Sequence, residues 1–413
     1  MRVLQVVPYF EGAWGYGGIP RVAVVLASAL ARRGHRVTVC TTDACDSRTR
    51  LADEGRSGSR LRPWPPRTTR AGVELRVFPN LSNRIAHRLQ LFQPLGLRGW
   101  VRERAAGFDV AHVHGHHHLP GAIAAAALRR AGVPYLVAPN GTAPREGPRA
   151  LAKLAFDATL GRNVLRGARA VIAVSDAERG QLEAQGVARE RIAIVPNPID
   201  PDEFAGALAA PARAPGEAGR VLYLGQLIPR KRVDVLVRAM RQLPAAARLE
   251  IAGGDGGSLP MLRELVRREG LSSRVRFAGL LRGGERAAAL AAADVVAYAG
   301  SDEVFGLVAL ESLLCGTPVV VADDSGCGEV LSRVGGGLAV PPGDPAALAR
   351  ALAAILADPA GWRARARRAA AAIREQFASD VVAARCEQVY EAAMQPADRG
   401  ADESQRWTRR LPA

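Results

Sequence analysis

Short apolar, β-prone runs recur at residues 3–7, 36–40, 109–113, 135–138, 170–174 and 192–195, and again at 221–224, 249–252, 275–278, 295–298, 319–322 and 338–340. Between them lie stretches with helical spacing of apolar positions. Strands that alternate with helices build parallel sheets from βαβ units. Two such sets, split by Pro196, Pro198 and Pro201 and by an Ala, Pro and Gly stretch from 206 to 219, predict an α/β chain of two doubly wound, Rossmann-like domains. The domains are placed at 1–195 and 220–378, with 196–219 as a linker, because proline breaks helix and restricts the residue before it. A last helical stretch covers 379–395, 396–413 reads as a disordered tail, and 46–70, rich in Arg, Ser, Gly and Pro, reads as a mobile surface loop. Ligands of such sheets bind beyond the carboxyl ends of the strands, so two sheets facing each other predict a cleft.

The chain has 413 residues, nearly half of them apolar, enough for two cores of ordinary size. No apolar stretch approaches the ~20 residues that span a bilayer, and the sequence opens on a strand rather than a signal peptide, so a cytoplasmic location is expected. Cys40, Cys45, Cys315, Cys327 and Cys386 lack metal-ligand spacing and read as free thiols. The net charge of +16 comes from 56 basic residues, of which only Lys153 and Lys231 are lysine. So uniform a use of arginine is a bias of the whole chain. Without a nucleic-acid module or a stacking platform, nucleic acid is not expected as a partner. One segment keeps a membrane reading: residues 84–104 interleave Ile85, Leu89, Leu91, Phe92, Leu95, Leu97, Trp100 and Val101 with Arg84, Arg88, Arg98, Arg102 and Arg104. Such a mixture suits peripheral contact with an anionic leaflet, at the inner face of the membrane, and equally suits a half-buried helical pair with solvated arginines.

The most informative run is 301–320, SDEVFGLVALESLLCGTPVV. It reads as a loop, a helix from about Phe305, a turn at Gly316 to Pro318, then a buried strand. Glu303 precedes the helix and Glu311 lies two turns along it. The free N–H groups of a first helical turn suit an anion, and ionised carboxylates on either side suit hydroxyls. A nucleotide sugar has hydroxyls on both sides of a diphosphate. The bare pair, however, is commonplace on solvated helices.

In its Phe-Gly-Leu, Glu-Ser-Leu and Gly-Thr-Pro-Val frame, the run resembles the donor-site signature of family 4 glycosyltransferases, retaining enzymes of the GT-B fold. The resemblance extends over roughly residues 1–395. It implies that Glu303 faces hydroxyls of the transferred sugar, that Glu311 faces the ribose, and that the N–H groups of Phe305, Gly306 and Leu307 meet the diphosphate. It also implies that the final helix packs back across both domains.

Residues 221–237 read as a strand, a turn at Gly225, a basic loop and a helix, with Lys231 beyond the strand's carboxyl end. A compact ammonium and a planar guanidinium are not interchangeable at a tight phosphate contact, so a surviving lysine is informative. The family's Gly-Arg, loop, Lys-Gly pattern assigns the diphosphate to the lysine and an arginine. Gln226 stands where that arginine usually is, and Arg232 replaces the usual glycine. Either Arg230 or Arg232 supplies the second charge, or the diphosphate is held with one cation fewer. Glycine loops follow at 253–257 and 278–283, each readable as a plain turn or a ligand contact. By resemblance the second loop, with Gly279, holds the base.

In the first half, Trp14 to Arg21 carries Gly17 and Gly18 in a spacing that is not the dinucleotide fingerprint, because Pro20 occupies the third glycine's place. The resemblance makes both glycines cleft residues. Five of the seven histidines fall at 112–118. Imidazole ligates metals well, yet no neighbouring Cys, Asp or Glu in the sequence completes a set, so no metal is expected. His114, in an Asp-Val-x-His-x-His stretch similar to the family's strand-end motif, is assigned acceptor contact or local polarity. Asn140 stands where many members have His, and its role there is limited to hydrogen bonding.

The reading is a retaining hexosyltransferase acting from a nucleotide diphosphate sugar as co-substrate on an acceptor glycan or glycolipid, in cell-surface polysaccharide or glycolipid assembly. Lys231 and Glu303 carry the chemistry, and no cofactor or metal is expected. The alternatives are a sugar-nucleotide epimerase or phosphorylase of GT-B type, and a non-catalytic sugar-nucleotide binding protein.

Overall fold

The computed structural model describes residues 1–45, 49–51, 63–145, 149–209, 219–281, 283–298, 300–324 and 326–396. The chain divides into two compact units, Met1–Pro198 together with the chain from Ser379, and Ile199–Ala378.

The first unit holds strands β1 (Arg2–Val6), β2 (Arg36–Thr42), β3 (Arg67–Thr68), β4 (Glu74–Phe78), β5 (Val110–His114), β6 (Tyr135–Ala138), β7 (Ala170–Ala173) and β8 (Ile192–Ile194). They form one sheet in the order β3-β4-β2-β1-β5-β6-β7-β8, parallel except for the β3/β4 pair. The second holds β9 (Arg220–Leu224), β10 (Arg248–Ala252), β11 (Val275–Gly279), β12 (Val295–Tyr298), β13 (Val319–Ala322) and β14 (Gly337–Val340) in an all-parallel sheet, β11-β10-β9-β12-β13-β14. Strand order reverses beside β1 in one sheet and beside β9 in the other. Loops leaving the carboxyl ends of two such neighbours diverge and leave a crevice, where doubly wound folds bind ligands.

The structure departs from the sequence reading in three places. β3 and β4 were not expected: Glu74 to Phe78 is interrupted by charge, and the pair closes only an edge. Parts of the supposed mobile loop 46–70 are tied down, since Arg50 pairs with buried Asp43 at 2.7 Å and the backbone N–H of buried Trp64 donates to the Val77 carbonyl. The remainder of that segment lies outside the described residues. Within the expected linker, Pro201–Ala209 forms a 3-10 helix whose Phe204 is buried, so this stretch belongs to the second unit's packing. Residues 210–218 of that linker, and the expected tail beyond Pro396, also lie outside the described residues.

The final helix, Ser379–Met394, buries Val382, Ala383, Cys386, Val389, Tyr390 and Ala393 in the first unit's core. This i, i+4, i+7 stripe covers one helical face. Glu387 on its flank pairs with Arg33 and His35. Among the described residues no helix is long and apolar enough to cross a membrane.

Candidate active site

In the second unit the reversal lies between β9 and β12, and the two loops leaving their ends carry the charged residues singled out above. Lys231 ends a 3-10 turn, Pro229–Lys231, after β9. Tyr298 ends β12, and Glu303 lies five residues on. The Lys231 ammonium donates to the Tyr298 hydroxyl oxygen and to Glu303 Oε2, and sits 4.7 Å from the centre of the Tyr298 ring. Tyr298 in turn donates to Glu303 Oε2 at 3.1 Å. Arg230 stands 3.5 Å from the same carboxylate and donates to the Asp302 carbonyl. Burial lowers the Lys231 ammonium and, alone, would raise Glu303; the charges of Lys231 and Arg230 outweigh it and hold the Glu303 carboxyl below its ordinary value. Burial, with Glu303 beside it, pushes the Tyr298 hydroxyl well up, so it stays a donor.

Of the two arginines left open as the second cation, Arg230 is the one beside Lys231 and Glu303. Arg232 turns instead towards Asp234, at 3.5 Å, and Gly343. Its φ of 47° also explains why glycine is usual at this position: the left-handed conformation costs a side-chain-bearing residue roughly 1 kcal/mol. Arg232→Gly is therefore expected to raise the midpoint of thermal unfolding by a few degrees, with ~1 kcal/mol of added stability, and to leave donor affinity nearly unchanged. Denaturation curves and donor titration of the variant check both halves.

The helix expected from Phe305 is Leu307–Leu314, with Gly306 as its cap at φ 73° and no side chain capping it. A Cβ on Gly306 would come within 2.3 Å of Cys327 Sγ, so glycine is required by space as well as by conformation. Phe305 is buried edge-on against Phe377, 5.7 Å between ring centres. Glu311, expected to meet a ribose, is 2% exposed and paired with Arg286, on the helix Gly284–Ala292 that follows the supposed base-binding loop. Arg286 was missed, since nothing in the sequence marks one arginine among so many.

Three strand-end loops run side by side. Gly225 donates to the Ala252 carbonyl and Gly253 to the Gly279 carbonyl, and a Cβ on Gly253 would overlap the Gly225 carbonyl at 1.7 Å. Close chain packing thus accounts for Gly253. Gly279 has open space around it and a φ of 75°. The Gln226 carbonyl accepts the Tyr223 hydroxyl at 2.9 Å, which fixes the turn out of β9.

In the first unit, the helix expected near Arg21 begins at Gly18, with Gly17 as its cap at φ 100°. His114 is 1% exposed, stacked on His112 with 4.1 Å between ring centres, and burial drives it down to about 3, so it is a neutral interior group. That position fits local polarity rather than direct acceptor contact. His112 meets the Tyr390 hydroxyl of the final helix at 2.7 Å. Asn140 and Gly141, at φ 52° and 78°, form a left-handed turn closed by Thr142 N–H on the Pro139 carbonyl, and the Asn140 amide donates back to Ala138. A second residue missed by sequence is Glu178, fully buried, which accepts from Gly141 and Val174 and anchors that turn. Burial pushes its carboxyl up to about 7, against the pull of the two backbone donors. The third is Asp157, whose carboxylate meets His116 and His117 at 3.1 Å each; the sequence reading found no acid for the histidines because this one is 40 residues away.

Solved structures with the same fold include that of HepE from Anabaena in complex with UDP (TM-score 0.70, 20% identity, 95% of this chain and 100% of that one). Sucrose-phosphate synthase from Thermosynechococcus elongatus is similar to the same degree (TM-score 0.70, 21% identity, 95% and 98%). Two parallel-sheet α/β units with these neighbours define the GT-B fold. In sequence, residues 17–198 match the glycosyl transferase 4-like domain and 207–375 the glycosyl transferases group 1 model. The D-inositol 3-phosphate glycosyltransferase of Xylanimonas cellulosilytica is 33% identical over 92% of this chain and 93% of its own length. The glycogen synthase of Mycobacterium tuberculosis is 29% identical over 95% of each. The chain belongs to the family 4 glycosyltransferases.

Proposed function

We propose that the protein transfers a hexosyl group, with retention at the anomeric carbon, from a nucleotide diphosphate sugar to an acceptor hydroxyl. The observation that carries this reading is the convergence of Lys231, Arg230, Glu303 and Tyr298 at the carboxyl ends of β9 and β12. In it, Lys231 and Arg230 stabilise the departing diphosphate with the N–H groups of Phe305, Gly306 and Leu307, and Glu303 accepts from sugar hydroxyls. Protein cations do the work a metal does elsewhere. Glu311 and Gly279 hold the nucleoside, and Gly17, Gly18 and Asn140 serve the acceptor. HepE has been crystallised with UDP-glucose, which favours a uridine donor.

The acceptor, in this reading, is a membrane-held glycolipid or growing glycan. Leu81, Ile85, Leu89 and Leu91 are exposed beside Arg84 and Arg88, whereas Phe92, Leu97 and Val101 are buried. The contact with an anionic leaflet therefore falls to the first half of residues 84–104.

The test is a thermal-shift screen of nucleotide sugars, followed by transfer from the best donor to membrane extract, with the product's anomeric configuration read by NMR. Retained configuration in a glycolipid or glycan product supports the proposal. Turnover that requires inorganic phosphate, an isomerised donor without transfer, or donor binding without hydrolysis or transfer would replace it with a phosphorylase, an epimerase or a binding protein.

A further inference from the structure

We propose that His116, His117 and Asp157 form a binding site for a divalent first-row transition-metal ion in the first unit. The three lie beyond the carboxyl edge of its sheet: the histidines follow β5, and Asp157 opens a π-helical turn, Asp157–Gly161, after the helix Ala150–Phe156. Their ligand atoms all fall within 4.8 Å of one another. Nε2 of His116 is 3.1 Å from Asp157 Oδ1 and Nε2 of His117 is 3.1 Å from Oδ2, near the ~3.3 Å that separates donors around a tetrahedral zinc ion. All three side chains are buried, at 2, 7 and 4% exposure.

The hydrogen bonds of His117 make the case for a cation. Its Nδ1 faces the Thr142 carbonyl at 2.9 Å, and a carbonyl only accepts, so Nδ1 carries a proton. Its Nε2 then presents a lone pair to an ionised carboxylate, which also only accepts. Something positive must lie between them, a second proton or a metal ion. A ring whose Nδ1–H is fixed by a backbone carbonyl presents Nε2 for ligation, the orientation that such outer hydrogen bonds give metal-ligating histidines. Arg145 donates to Asp157 Oδ2 at 2.7 Å and acts as the outer hydrogen bond that orients a ligating carboxylate.

The backbone is shaped around this cluster. His117 is held at φ 60°, a costly conformation for a residue with a side chain. Thr142 accepts the His116 N–H on its hydroxyl at 2.6 Å, so one turn clamps both histidines. Gly161 makes room for the acid, because a Cβ there would stand 2.2 Å from Asp157 Oδ1. π turns of this kind recur at functional sites. Imidazole and carboxylate donors suit zinc and its neighbours rather than calcium or magnesium. The ion would tie the loop after β5 to the π turn through three protein ligands. This inference does not depend on the donor-site reading.

The test uses the full chain after chelator treatment, titrated with Zn²⁺ alone and Co²⁺ alone. One ion per chain is expected, with visible d–d absorption for Co²⁺, and His117→Gln should weaken Zn²⁺ binding at least about 100-fold. If that variant does not fold, the stoichiometry and Co²⁺ spectrum of the wild type decide. Absence of stoichiometric binding by the wild type overturns the proposal, as does equal affinity in a folded His117→Gln. So does a His117 ring signal that stays that of an imidazolium in the presence of Zn²⁺.

Discussion

Lys231→Ala is expected to lower kcat by about 10²–10⁴, with far less effect on the stability of the fold. The ammonium is buried, so whatever charge it stabilises in a transition state feels a weakly screened cation that needs no reorganisation. Removing a group of this kind costs about 3–5 kcal/mol of transition-state stabilisation, which is the stated loss in rate. Stability falls by less than the about 3–5 kcal/mol typical of breaking a buried pair, because Tyr298 and Arg230 still face Glu303. The pH profile adds a second readout. Glu303, lowered below its ordinary value, ionises early, and Lys231, lowered by burial, loses its proton below the ordinary lysine value of 10.5. Activity should therefore hold at neutral pH and fall on the alkaline side earlier than for an exposed lysine. Steady-state kinetics of the wild type and variant check both points, and an unchanged kcat would remove Lys231 from the leaving-group role.

Glu311→Ala is expected to destabilise the second unit by about 3–5 kcal/mol, lowering its unfolding midpoint by roughly 10 °C, because it removes the buried carboxylate from a largely desolvated ion pair with Arg286. Replacing both partners, Glu311→Leu with Arg286→Met, should restore most of that loss, since an apolar pair of similar volume avoids desolvating two charges. The double variant separates two roles that the structure leaves combined in one residue. If Glu311 also clasps a ribose, the restored fold still binds donor at least about tenfold more weakly; if the pair only supports the helix, donor affinity returns with the fold. Thermal unfolding and donor titration on the four proteins of the cycle decide it.

The donor-side cluster was legible because its parts are local in sequence or carry a distinctive residue type. Lys231 stood out against a background of arginine, and Glu303 stood out by its frame. The partners were not legible. Tyr298 reads as the end of a buried strand, Arg286 as one more surface arginine, and Glu178 and Asp157 as ordinary helix acids, since each acts on a residue 25 or more positions away or across two elements. The displaced helix starts have a common cause as well. Gly306 and Gly17 adopt positive φ and so serve as caps, which moves one helix two residues later and brings the other three residues earlier than the apolar pattern suggested.

The sequence by itself determined the alternation of strand and helix, the presence of two parallel sheets and the glycosyltransferase family, because βαβ periodicity and short motifs are written within a few tens of residues. Tertiary structure alone decided which charges meet. It placed Arg230 rather than Arg232 beside Lys231, joined Glu311 to Arg286, and carried Asp157 to the histidines. Strand order, and with it the neighbours of every strand-end loop, depends on long-range packing, and a buried charge finds its partner only once that packing exists.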